Sequence, residues 1–456
     1  MTQLPPGPPP VQNPLSLLLF ATRVGRDPIG FQRGRFEKYG DIYTSKVGEL
    51  VTLVTRHPDH IQHVLVTDGD SYLKPELGIG AAELRRVLGN GLLSSNGDFW
   101  RQQRRQVQPA FGASHLRAYA ETMVAYTLER VRRWRLGSVI DVKSEMMGLT
   151  LSVVGKVLMG KDVRAMQGEV EAAMLAFRRS FGGVSSVLPR WVPHPARGRE
   201  ERVLARMRGL MDGFIDEHAN GRGDDDQCLL HVLAQGLGTE GFMSREQLRD
   251  EALTLFFAGH ETTSHALSWT LSLLAQNPDV RSKLASEVER VLGGRPATFA
   301  DLGALEYTGQ VLSEGMRLYP PAHTVLREAG RDTTLAGYDV PKGSHVVVSI
   351  FHAQRDARWH PDPLRFEPER FAAEAAKSML PGSYVPFGAG TRVCIGKRFA
   401  LMEATLILAT LAQHATLDLV ESRAPVANAS ITLAPVELHM RVGPPVVSKS
   451  LSALAG

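Results

Sequence analysis

With 456 residues, 43% of them hydrophobic, the chain can bury a large core, and its length alone would first suggest two domains. Lys and Arg total 52 against 48 for Asp and Glu, and the net charge of +4 includes no long basic block, which argues against nucleic-acid binding. Two cysteines in so long a chain exclude a disulfide framework and fit a reducing, cytoplasmic compartment.

The chain opens with an extended, polyproline-like arm over residues 1–14, carrying Pro5, Pro6, Pro8, Pro9, Pro10 and Pro14. The apolar run from Leu15 to Ala21 is far too short to cross a bilayer, so neither a signal peptide nor a membrane span is expected. Phe31 to Tyr39 reads as a short helix, and Ile42 to Thr55 as a β-hairpin turning near Gly48. Ser71 to Asp98 reads as loop with short helices. Helical patterns then dominate from Phe99 to Ala275, broken at Gly182-Gly183, from Pro189 to Pro195, and from Gly221 to Asp226. Val325 to Phe351 alternates in strand fashion, and Asn428 to Val442 looks like a last hairpin. No internal repeat, low-complexity segment or linker separates two halves. The expected class is therefore mainly α with a small, scattered β portion.

Two stretches carry chemistry. The first is a helix of about 33 residues, ~50 Å long, opened by the capping box Ser244-Arg-Glu-Gln247 and stopped at Asn277-Pro278. Its apolar faces suit the middle of a large protein. Its centre, Ala258-Gly259-His260-Glu261-Thr262-Thr263, is an odd choice for a buried helix. Threonine hydroxyls there can bond back to the previous turn, loosen the ladder and open a groove. The second is Phe387-Gly-Ala-Gly-Thr-Arg-Val-Cys394-Ile-Gly396, followed at once by an apolar helix. Gly390 and Gly396 allow a tight turn and the close approach of a flat group. Exposed N–H groups at the helix start would stabilise a Cys394 thiolate, a good axial ligand for haem iron. A lone cysteine is more often a buried, inert one, and Cys228 is read that way.

The Cys394 stretch resembles the haem-binding loop of the cytochrome P450 family, F-x-x-G-x-R-x-C-x-G, with Phe387, Gly390, Arg392, Cys394 and Gly396 at its fixed positions. The centre of the long helix is similar to the family's A-G-x-[DE]-T-T motif. Glu314-Gly-Met-Arg317 and Pro368-Glu-Arg370-Phe371 resemble its E-x-x-R and P-E-R-F, and Trp100 and Arg104 its W-x-x-x-R. The resemblance implies one domain over 1–456 with the P450 fold, in which the long helix lies over a haem b (iron protoporphyrin IX) held by the Cys loop. By that resemblance Cys394 is the axial ligand of the iron. Trp100, Arg104, Arg327 and Arg392 bind haem propionates, with Phe387 and Gly396 shaping the loop. Thr262 positions dioxygen, Glu261 relays protons, and Glu314, Arg317 and Arg370 form a buried structural network. Membrane-anchored relatives carry a spanning helix ahead of a similar Pro-rich segment, so a soluble, bacterial-type member is expected.

The implied activity is a monooxygenation: one oxygen atom of O2 enters a hydrophobic small molecule, fatty-acid, terpenoid or polyketide-like. Electrons would come from a separate ferredoxin or flavodoxin with its reductase, since no such domain fits in the remaining length. Pocket candidates are Leu255, Ala258, Val325 and Ile431. Phe256, Leu326 and Leu433 extend that set, as do Phe181 and Val187 from the region between Met174 and Trp191. Arg101, Arg105, Lys397 and Arg398 could steer an acidic reductase, though solvated surface charge explains them equally well. A peroxide-using or non-oxidative haem-thiolate enzyme, or a non-catalytic haem sensor, would have no need of the Glu261-Thr262 pair.

Overall fold

The computed structural model describes residues 3–76, 79–164, 168, 170, 172–173, 195–223, 227–421 and 425–446. The capping box at Ser244 forms in both directions. The Gln247 N–H donates to Ser244 Oγ at 3.2 Å, and the Ser244 N–H donates to Gln247 Oε1 at 2.6 Å. The helix it starts, Arg245–Gln276, ends at Asn277, and Pro278 opens the next helix, Pro278–Leu292. Leu253, Phe256, Leu267 and Trp269 of this central helix are buried, so it runs through the main core. It packs most closely on the helix Val142–Met159. Gly259 lies at that contact, where a Cβ would come 3.3 Å from Val154 Cγ2. The helix that follows the Cys394 loop, Lys397–His414, packs against Ala113–Val131 and against the central helix.

The β portion is small. Strands β1 (Ile42–Val47) and β2 (Leu50–Thr55) form the expected hairpin, with Gly48 at φ 56° in the turn. They join β3 (Tyr72–Leu73), β5 (Thr324–Ala329) and β8 (His345–Ser349) in one sheet of order β1-β2-β8-β5-β3. Strand β4 (Val139–Asp141) was not expected, and β6 (Thr333–Leu335) pairs with β7 (Tyr338–Val340). The expected last hairpin divides. Strand β10 (Ala427–Ala429) pairs with β11 (Leu433–Pro435), but β12 (His439–Gly443) leaves to lie between β4 and β9 (Thr416–Leu419). Alternation within a segment reports strand character, whereas the partner is chosen by distant residues. The Pro-rich arm is bound along β1, where the Thr44 N–H donates to the Pro6 carbonyl at 3.0 Å. The helix Pro14–Arg26 follows it, where the sequence suggested only an apolar run. Among the described residues no helix is long and apolar enough to cross a membrane. The breaks expected at Gly182-Gly183 and through most of Pro189 to Pro195 lie outside the described residues.

Glu314 and Arg317, both fully buried on the helix Glu306–Leu318, form a bidentate pair at 2.6 and 2.8 Å. Arg317 also donates to the carbonyls of Gln354, Pro363 and Arg365, so its five N–H groups are all used. Arg370 reaches Glu314 only at 3.5 Å and pairs more closely with Glu367, at 2.8 Å. The network is thus a Glu314–Arg317 centre with Arg370 at its edge. Glu314→Ala would leave the Arg317 guanidinium buried without its counter-charge, costing about 3–5 kcal/mol. The expected outcome is mostly aggregated or haem-free protein on purification. Recovery of a stable, fully haem-loaded variant would refute it.

Glu403 and Glu251 are also buried. Burial pushes the Glu403 carboxyl up to about 8, offset in part by the neighbouring Thr263 hydroxyl. Burial likewise raises Glu251 to about 8, although the Leu92 N–H donates to its Oε2 at 3.2 Å. Both keep their protons in the folded state while the unfolded chain ionises near 4.5, so stability falls as pH rises from about 5 to about 8. Glu403→Gln should flatten that fall, read as a smaller drop in Tm across the window. An unchanged slope would show that Glu403 is ionised when folded.

Candidate active site

The loop from Phe387 to Gly396 is shaped by glycines at positive φ, Gly388 at 69° and Gly390 at 68°. A Cβ on Gly390 would lie 1.9 Å from the Leu65 carbonyl oxygen, so here the glycine serves docking onto the His63–Thr67 segment. The Cys394 N–H donates to the Phe387 carbonyl at 3.0 Å, and the helix begins at Lys397. Cys394 has exposed surface, and it lines a cavity in the protein. Burial pushes that thiol up, against the opposing effects of the Gly396 N–H, Arg104 and Lys397. The Gly396 N–H thus acts in the direction expected of the helix start, and desolvation acts against it.

The cavity encloses about 330 Å³, within the range of small-molecule sites. Its electrostatics are lopsided. Lys74, Arg104, Arg327 and Arg392 line it, and among the described residues no acid does. Burial lowers the pKa of all four cations. Arg327 and Arg392 each fall to about 10, the latter also through the repulsion of Arg327 and Arg104. Arg104 and Arg392 lie 5.6 and 4.2 Å from the ring centre of the buried Trp100. Arg104 donates to the Val393 carbonyl at 3.0 Å, and Arg392 to the Ser95 carbonyl at 3.0 Å and Asn96 Oδ1 at 2.9 Å. The same Asn96 oxygen accepts the Lys74 N–H at 2.9 Å. Converging, partly buried cations without acids suit a group with more than one carboxylate. Gly388 and Gly396 border the cavity, and a Cβ on Gly396 would meet only the Phe111 ring, at 3.9 Å, so a flat body can approach the thiol. The residues present therefore fit haem b, with its two propionates against the cations.

The opposite wall is the central helix, which contributes Thr254, Leu255, Ala258, Gly259, Thr262 and Thr263. Its hydroxyls bond backwards as expected, Thr262 to the Ala258 carbonyl at 2.8 Å and Thr263 to that of Gly259 at 3.3 Å. Thr150 from the neighbouring helix donates to the His260 carbonyl at 2.9 Å, and His260 bonds the Phe256 carbonyl at 2.8 Å. The helix nevertheless stays continuous through these residues. Glu261 is buried and does not line the cavity; its Oε1 accepts the Thr432 hydroxyl at 3.2 Å, from the turn between β10 and β11.

Of the pocket candidates, Leu255, Ala258 and Val325 line the cavity. Ile431 does not; it packs against the main core beside the residue that holds Glu261. Phe256 and Leu433 are core residues, and Leu326 is partly exposed, because the alternation of β5 turns it away from Val325. Phe181 and Val187, with the whole stretch from Met174 to Trp191, lie outside the described residues. Three residues were missed. Lys74 sits in a segment read as loop, and no local pattern marks it as a cavity cation. Thr432 meets Glu261 across 171 positions. Glu403 hides in an apolar helix, where a lone acid flanked by Met402 and Ala404 was the available signal.

The family model "Cytochrome P450" matches residues 5–438. The chain is 35% identical over 406 residues to cyclooctatin synthase of Streptomyces melanosporofaciens, covering 87% of each chain. It is 31% identical to cyclooctat-9-en-7-ol 5-monooxygenase of the same organism, covering 82% of each. Pentalenene oxygenase of Streptomyces avermitilis is 30% identical over 86% of this chain and 87% of its own. The family model and these relatives show what the chain is: it belongs to the cytochrome P450 family and is a haem b-dependent monooxygenase.

Proposed function

We propose that this enzyme oxygenates an apolar, terpenoid-like small molecule in the cytoplasm, with electrons from a separate ferredoxin or flavodoxin and its reductase. The observation that carries this reading is the cavity itself, lined by Cys394, by Thr262, by four cations and by mainly apolar side chains elsewhere. Leu92, Leu93, Leu255 and Val325 offer a substrate contact surface but little hydrogen bonding, which favours a hydrocarbon-rich molecule. The names of the similar proteins, which act on pentalenene or cyclooctat-9-en-7-ol, favour a terpenoid within that class.

Haem b, when bound, supplies the iron at which dioxygen is activated. Cys394 Sγ would be its only protein ligand, and Lys74, Arg104, Arg327 and Arg392 would hold the propionates by charge-assisted hydrogen bonds. The Thr262 hydroxyl, at the cavity wall, can turn from the Ala258 carbonyl toward the reacting oxygen and hold a proton there. Glu261, buried behind it and tied to Thr432, would renew that proton. The leucines and Val325 would keep water out and orient the substrate in the cavity.

The test separates proton delivery from binding. Thr262→Ala should bind haem and substrate normally and still consume reducing equivalents, while product per electron falls severalfold and hydrogen peroxide rises. Glu261→Ala should mainly slow oxygen consumption, and Cys394→Ser should lose the red-shifted band of the reduced carbon monoxide complex. Undiminished coupling in Thr262→Ala would remove dioxygen-dependent proton delivery through this residue.

For the electron donor, Arg101, Arg105, Lys397 and Arg398 are all exposed. The Arg104–Val393 hydrogen bond holds their two segments side by side. Arg101 is already paired with Asp98 at 2.6 Å, leaving Arg105, Lys397 and Arg398 as the better steering charges. Arg105→Glu with Lys397→Glu should slow reduction by an acidic ferredoxin and weaken its salt dependence, with substrate binding unchanged. Unaltered reduction rates would refute the dock.

A further inference from the structure

The helix Pro14–Arg26 has apolar side chains on two opposite faces. Leu17, Phe20, Ala21 and Val24 are partly buried toward the body of the protein, and the Phe20 ring meets Phe31 edge-on at 5.6 Å. Leu15, Leu18 and Leu19, at i, i+3 and i+4, form a second stripe and are 68%, 50% and 50% exposed. Thr22 and Arg26 continue that line. A helix apolar on most of its circumference is ordinarily covered all round, whereas this one is covered on one side.

The charge around it is mainly positive. The helix contains no acid, and Arg23 and Arg26 occupy its last turn. Through Tyr39 the segment carries five cations, Arg23, Arg26, Arg33, Arg35 and Lys38, against two acids, Asp27 and Glu37. That excess of three supplies most of the chain's net +4. The helix is also held in a fixed orientation. The Val11 N–H donates to the Lys46 carbonyl at 2.9 Å and the Gly48 N–H to the Val11 carbonyl at 3.0 Å, fastening its leading end to β1. The Asn13–Ser16 capping box fixes the first turn.

We propose that this outer leucine stripe is a membrane-surface anchor, lying in the interface of an anionic bilayer with Arg23 and Arg26 at phosphate level. A second copy of the chain fits the stripe less well, because the pairing would bring arginine-rich helices together. An acidic protein would satisfy the arginines but gives the leucines no role. A bilayer with anionic headgroups answers both, since arginine stems lie along apolar surface while their heads stay hydrated. This anchor is independent of the reaction the enzyme performs, and no membrane span is involved.

The test uses the full-length haem-loaded protein in flotation with vesicles of phosphatidylcholine, with and without phosphatidylglycerol. Binding to the anionic vesicles should exceed that to the neutral ones by about tenfold and weaken with salt. The triple variant Leu15→Ser, Leu18→Ser, Leu19→Ser should return to background with haem content and the carbon monoxide spectrum intact, the three side chains being exposed. Arg23→Glu with Arg26→Glu should abolish the preference for anionic lipid. Failure of the native protein to float with anionic vesicles would overturn the proposal, as would equal flotation of the triple variant. A triple variant that sediments as a smaller species without lipid, or loses reduction by an acidic ferredoxin, would assign the stripe to a protein partner and equally overturn it.

Discussion

A single buried ion pair gathers the parts of this protein that lie far apart in sequence. Arg317 has no exposed surface, and besides its two bonds to Glu314 it donates to three carbonyls spread from Gln354 to Arg365. Glu314 in turn accepts the Glu367 N–H at 3.0 Å, next to the Pro368–Phe371 turn. Irregular backbone cannot satisfy its own carbonyls, and burying it ordinarily costs free energy. Arg317 supplies those missing donors from within the core. The long segment leading toward the Cys394 loop can therefore be packed inside the protein and still hold one conformation.

With that segment in place, the cavity acquires two unlike regions. Its cations come from four separate places in the chain: Lys74, Arg104, Arg327 and Arg392. Trp100 spaces two of them, and Asn96 accepts from both Arg392 and the Lys74 backbone. So much uncompensated buried charge would be strongly unfavourable unless a multiply charged anion joined it. The remaining wall is mainly apolar and is assembled from many segments, among them Leu92 and Leu93, the central helix, Leu312 and Met316, Val325 and the start of the helix after Cys394. The thiol lines the same cavity as both regions.

The central helix shows how a local defect is used without breaking the element. Carbonyls from Phe256 to Glu261 accept side-chain hydrogen bonds from His260, Thr262, Thr263, Thr150 and Ser264. Each weakens its claim on the helical ladder slightly, yet the turns remain regular because the flanking residues are buried on every side. Thr262 and Glu261 therefore face different surroundings although they are adjacent. The hydroxyl meets the cavity, and the carboxylate meets a turn near the C-terminus.

Local chemistry by itself determined a good deal. The capping box and Asn-Pro stop placed the central helix to within a residue, since both act over three or four positions. The hairpin at Gly48 and the tight turn at Gly390 followed from the conformational freedom of glycine. The clustered motifs around Cys394, Glu261 and Glu314 identified the family, because such spacings carry information that needs no coordinates. Tertiary structure alone decided which groups meet. Lys74 became a cavity cation, Thr432 a partner of Glu261, and Ile431 a partly buried residue packed against the core, while β12 left its expected hairpin partner for β4 and β9. It also decided the placement of Leu15, Leu18 and Leu19 in solvent. Desolvation, long-range pairing and exposure depend on everything that surrounds a residue, and no short stretch of chain contains that information.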